Sequence, residues 1–126
     1  MSPSIKFHAQ TVSETLLSEI SGSHAVVIAT VDGFDLAHAG QRRVDPARLA
    51  AIVSSLVALG NAASNETAIG TPQCLVIESS EGRLVARCMY VKGDALIVVW
   101  LTDKTVLLGM VWNRIAAAEK MLNQLT

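Results

Sequence analysis

The chain has 126 residues, a length that suits one domain. Ten basic and eleven acidic residues give a net charge of −1, so nothing electrostatic points to nucleic acid or an anionic membrane surface as partner. Half of the residues are hydrophobic (51%) and only 4% aromatic, which forecasts a Val, Leu, Ile and Ala core that needs no disulfide or metal to hold it.

The apolar runs AVVIA (25–29) and ALIVVWL (95–101) fall far short of the roughly 18 residues of a membrane span. The start, MSPSIKFHAQ, lacks the apolar stretch of a secretion signal. A cytoplasmic domain with no membrane insertion is therefore expected. In a reducing compartment Cys74 and Cys88 read as two buried thiols, although a turn centred near Glu81 would set them nearly opposite each other. A zinc site would need about four closely spaced N/S ligands, and these are missing.

Residues 11–21 (TVSETLLSEIS) predict a helix. Thr11 and Glu14 form a capping box, Val12, Leu16, Leu17 and Ile20 an apolar face, and Gly22 the stop. HAVVIATV (24–31) and FDLAHA (34–39), parted by Asp32-Gly33, predict a hairpin. A two-residue turn would pair Val31 with Phe34, Ala29 with Leu36 and Val27 with His38. Asp35 and His38 would then diverge to opposite faces, so Asp32, Asp35 and His38 read as hairpin decoration and not as an acid/base or metal site.

The stretch 41–66 carries the longest helix, with Asp45 as cap and Pro46 at its first position. Leu49, Ile52, Val53, Leu56 and Leu59, with Ala63, suggest its core face. Ala47, Ala51, Ser54 or Ser55, Ala58 and Ala62 form a second stripe of small residues. Composition leaves open whether these are good helix formers on an exposed face or a close helix–helix contact. After the loop 67–73, residues 74–101 predict a three-stranded meander turning at Glu81-Gly82 and Lys92-Gly93-Asp94. CLVI, AVVI and LIVVW are apolar on both sides, so both sheet faces are expected to be covered. Thr102 or Asp103 can cap a last helix over 104–125, with Leu108, Val111, Trp112, Ile115, Ala118, Leu122 and Leu125 inward. Gly109 within it suggests close packing on the sheet. The fold class is α+β: a five-stranded antiparallel sheet, ordered α-β-β-α-β-β-β-α, with helices on both faces of one domain spanning 1–126.

That order, with AVVIATVDGFDLAHAG, ARLAAIVSSLVALGNAA, CLVIESSEGRLVARCM and LIVVWLTDKTVLLGMVWNRIAAAEKM, resembles the Roadblock/dynein light-chain family. The resemblance is to its bacterial stand-alone regulators of Ras-like GTPases and covers about residues 12–125. It implies a homodimer in which the second helix pairs with its copy and the third strands join edge to edge. Carried onto this chain, the interface would be Ala47, Ala51, Ser54, Ala58 and Ala62 with Cys74, Leu75 and Val76. It also gives a fate to CLVI, an apolar edge that would otherwise invite aggregation.

No phosphate-binding loop, dinucleotide fingerprint or nucleophile elbow is present, and His8, His24 and His38 belong to different elements. No catalytic residue, cofactor or metal is therefore expected, and the chain reads as a non-enzyme. The expected function is a homodimeric module that binds and regulates a small Ras-like GTPase, acting at the partner's own active site. Arg42, Arg43 and Arg48 gather near the start of the second helix. Such residues are ordinarily solvated, and they are the candidates for docking an acidic switch surface. The alternative is an adaptor or scaffold with no effect on GTP hydrolysis. A small-molecule sensor is disfavoured by an aliphatic core without convergent polar groups.

Overall fold

The computed structural model describes residues 3–40 and 43–126. Three helices and five strands follow in the expected order: α1 (Pro3–Glu19), β1 (Ser23–Thr30), β2 (Asp35–Gly40), α2 (Pro46–Thr67), β3 (Leu75–Ser79), β4 (Gly82–Val91), β5 (Asp94–Thr102) and α3 (Leu108–Leu125). The strands form one open antiparallel sheet in the order β2-β1-β5-β4-β3. α1 and α3 cover one face, where Val26, Ile28, Val98 and Trp100 meet Leu16, Val111, Ile115 and Leu122. α2 covers part of the other, over the smaller cluster of Val27, Val53, Ala86, Ile97 and Val99. The central strands β1 and β5 are thus apolar on both sides because both sides are covered.

α1 begins eight residues before the expected start at Thr11. Ile5 and Ala9 extend the stripe of Val12, Leu16 and Ile20 back by two turns, and all five are buried. Thr11 is therefore interior and cannot cap: its hydroxyl donates to the Phe7 carbonyl one turn back, and the Thr11–Glu14 box is not used.

The hairpin between β1 and β2 also differs from the two-residue turn. The Thr30 amide donates to the Phe34 carbonyl (2.8 Å) and the Gly33 amide to the Thr30 carbonyl (3.0 Å), so Val31, Asp32 and Gly33 form a three-residue loop. Gly33 sits at φ +97°, the left-handed residue this loop type requires. Ala29 consequently pairs with Asp35, and an irregularity after Ile28 restores the expected Val27–His38 pair. Leu36 and Ala37 both pack toward α1 and α3. By their cross-strand partners, Asp35 and His38 then share the α2 face and do not diverge. They still gather no third ligand: among the described residues no group of three or more His, Cys, Asp and Glu is placed to hold a metal ion.

β3 and β4 pair Ser79 with Gly82 and Leu75 with Ala86, one residue off the register centred on Glu81. Continuing that register puts Cys74 opposite Arg87, not Cys88. Both thiols are free. Cys74 is exposed and Cys88 half-buried, so neither is the fully buried thiol expected. The β4–β5 turn is tight, with Lys92 and Gly93 both at positive φ between Val91 and Asp94.

α3 starts at Leu108 without a side-chain cap. Of the two expected caps, Thr102 donates to the Asp103 carbonyl and Asp103 is engaged with the His24 ring across the start of β1. Val111, Ile115, Ala118 and Leu122 are buried as expected, whereas Leu125 lies half in solvent. Gly109 is not a close-packing site, since a Cβ there would meet nothing within 4 Å.

Candidate interaction surface

α2 is well built at both ends. The Asp45 carboxylate accepts from the Arg48 amide (3.2 Å), Pro46 opens the first turn, and Ala68 closes the helix in a left-handed conformation. Only Ala50, Val53 and Ser64 of its 22 residues are buried. Ser54 donates to the Val31 carbonyl (2.6 Å), and a Cβ on Gly33 would lie 3.3 Å from the Ala51 Cα and the Ser54 Cβ. The small residues thus let α2 approach the β1–β2 hairpin of their own chain.

With that contact the expected core face is met only in part: its Leu49 and Val53 reach the sheet, while its Ile52 and Leu59 do not. Leu49, Val53 and Val57 pack on the sheet. Ile52 and Leu59, expected inside, are 50% and 66% exposed. With exposed Ala63 they make an apolar stripe that nothing among the described residues covers. Of the small stripe, Ala47, Ala51, Ala58 and Ala62 are exposed and Ser54 is half-buried. By length and composition α2 is also the one helix among the described residues long and apolar enough to cross a bilayer, a feature that contiguous apolar runs did not reveal because Ser54-Ser55 and Gly60-Asn61 interrupt them.

Beside α2 lies the open edge of the sheet. β3 pairs only with β4. Leu75 and Val76 are half-buried, while Ile77, Glu78 and Ser79 face solvent. Between α2 and this edge runs a groove of about 310 Å³ whose walls include Leu56, Val57, Gly60, Leu75, Cys88 and Tyr90. Burial raises the Cys88 thiol above its ordinary pKa, so it stays protonated at neutral pH.

A wider hollow of about 630 Å³ opens at the other end, between His24, Arg43, Ile77, Arg83 and Asp103. Arg83 is committed there. It is paired with Glu78 and donates to the carbonyls of Lys104 and Val106, fastening the loop before α3 to β4. Arg43 and Arg48 are exposed near the start of α2, whereas Arg42 lies outside the described residues. The structure therefore gathers the α2 residues and the β3 edge on one side of the molecule and sets Arg43 and Arg48 at its end. Ile52 and Leu59 belong to this surface and were missed, since their apolar character alone places them in a core, while Ile77 lies on the CLVI edge already expected to be open.

The fold has close counterparts among solved structures. Myxococcus xanthus MglB aligns with a TM-score of 0.82 at 20% identity, over 98% of this chain and 91% of that one. A Roadblock/LC7 domain from Streptomyces avermitilis gives 0.80 at 17%, over 91% and 94%. An MglB with a tetrameric arrangement gives 0.78 at 22%, over 99% and 92%. No curated protein sequence matches the chain. The identities are low enough that these structures speak for the fold alone. The family profile of the Roadblock/LC7 domain, however, matches residues 12–101, from the first helix through the fifth strand, and the chain belongs to that family.

Proposed function

We propose that this protein is a homodimeric interaction module that binds a small Ras-like GTPase and regulates its cycle in the cytoplasm. The observation that carries the reading is the uncovered apolar stripe of α2, Ile52, Leu59 and Ala63, lying beside an unpaired sheet edge. Monomeric proteins rarely leave such a face contiguous and bare, and a second copy would cover the helix and the edge together. An MglB with a tetrameric arrangement is similar in fold, which supports self-association. A membrane-spanning role for α2 fits less well, because Ala50 and Val53 are already buried in this chain. Inserting the helix would strip them from that core.

The GTPase reading rests on the family and on MglB-like neighbours. Arg43 and Arg48 form the cationic end of the surface and suit an acidic switch region. We assign the chain no catalysis of its own. It acts by positioning groups in the partner's site.

Sedimentation of the purified protein, followed by capture of small GTPases on GTP- and GDP-loaded extracts and a turnover assay, tests the proposal. Dimers that retain a GTPase in a nucleotide-dependent way and change its hydrolysis rate support it. A stable GTPase complex indifferent to nucleotide, with unchanged turnover, would move the assignment to an adaptor.

A further inference from the structure

Two of the three exposed stretches of sheet edge are already occupied by side chains acting as strand mimics. On β2, the Gln10 amide of α1 donates to the His38 carbonyl (2.8 Å) and accepts from the His38 amide (3.3 Å). This is the pair of bonds a neighbouring strand would make. On the part of β4 that runs past the end of β3, the Tyr90 amide donates to Glu119 (2.8 Å) and the Tyr90 carbonyl accepts from Asn123 (2.9 Å). Asn123 also accepts from the Lys92 amide (3.0 Å), and its own donation to the Glu119 carbonyl holds its side chain in place. Four backbone groups at two edges, and one in the turn after β4, are thus satisfied by three side chains from α1 and α3. No side chain plays this part along Leu75–Ser79 of β3 among the described residues.

We infer that Gln10, Glu119 and Asn123 are edge guards that determine where this protein accepts an added strand: they close β2 and the end of β4 to pairing and confine strand addition to β3, the occupant being the β3 of a second copy. The inference deepens the homodimer reading by naming what prevents the same sheet from growing at its other edges. An unguarded edge is a template for open-ended association, because each added copy presents the same edge again. The guards are local and polar, so they block pairing without burying a large interface.

The test uses the full chain and compares Gln10→Ala, Asn123→Ala and the double variant with the original by sedimentation over a concentration series. Circular dichroism and urea unfolding check that each is folded. The expected result is species larger than those of the original chain, with the association constant for the extra step raised on the order of tenfold in Gln10→Ala and the double variant, where the His38 bond pair is free, and less in Asn123→Ala, where Glu119 still holds the Tyr90 amide. Gln10→Glu is the second variant should Gln10→Ala fold poorly. It keeps the side-chain length and helix propensity but cannot donate to the His38 carbonyl. Folded guard variants that assemble no further than the original chain would overturn the inference. An original chain that stays monomeric throughout would instead overturn the dimer reading, and the guards would still be judged by whether their removal starts association.

Discussion

Ser54 donates its hydroxyl to the Val31 carbonyl at 2.6 Å, pinning the middle of α2 to the β1–β2 hairpin. This bond, with Ala51 against Gly33, sets the rotation of the helix and so decides that Ile52 and Leu59 face outward. Ser54→Ala keeps the small volume and removes only the bond. It should cost about 1 kcal/mol of stability, the net worth of one such hydrogen bond, visible as a lower urea midpoint at unchanged m-value.

The outward stripe gives the opposite signature. Leu59→Arg places a charge where the folded monomer buries little, so monomer stability should change by less than about 0.5 kcal/mol. If a second copy covers this face, the same substitution forces a long charged side chain into a helix contact. Dilution experiments should then find the variant monomeric at all accessible concentrations. Sedimentation showing unchanged dimers would move the interface off Leu59.

The architecture was legible in the sequence for a definite reason. β-branched runs, the K-G-D turn and the D-P helix start each leave little choice of local conformation, whereas the D-G pair placed the hairpin but not its loop length. The orientation of α2 was not legible. Its sequence carries two apolar stripes, and which one meets the sheet depends on the Ser54–Val31 contact between residues 23 positions apart. Local pattern cannot encode that. The start of α1 was missed because Thr11-Val-Ser-Glu14 is a good capping box, overridden by Ile5 and Ala9 burying on the sheet. The edge guards are equally invisible, since Gln10 and Asn123 look like ordinary exposed helix residues until the strand beside them is known.

Two glycines should respond in opposite directions. Gly40 ends β2 at φ +115°, and a Cβ there would lie 2.3 Å from the His24 carbonyl oxygen and 2.7 Å from the Ala25 Cα. Both are backbone atoms that cannot step aside, so Gly40→Ala should destabilise by more than about 2 kcal/mol. Gly60 lies inside α2, and a Cβ there would meet nothing within 4 Å. Gly60→Ala should stabilise the folded monomer by about 0.5–1 kcal/mol through helix propensity and a less free unfolded chain. Thermal or urea unfolding of the two variants side by side reads both effects.

The two cysteines share one groove and should nevertheless react separately. Cys74 is exposed, whereas Cys88 is half-buried and its thiol is pushed up by desolvation. Thiolate is the reactive form, so in the chain diluted to monomer at mildly alkaline pH iodoacetamide should label Cys74 first and Cys88 distinctly later, with mass spectrometry resolving the order. The raised pKa also fixes a sign. The unfolded thiol ionises before the folded one, so the unfolded state binds fewer protons as pH climbs through the ordinary thiol range. The Cys88 contribution to stability is fully present below that range and is lost as pH rises through the folded value. Cys88→Ala should flatten this alkaline fall in the urea midpoint, while Cys74→Ala should leave it in place. If both thiols are labelled at one rate and both variants share one pH profile, the groove wall does not desolvate Cys88 in solution and is more open than its half-buried side chain indicates.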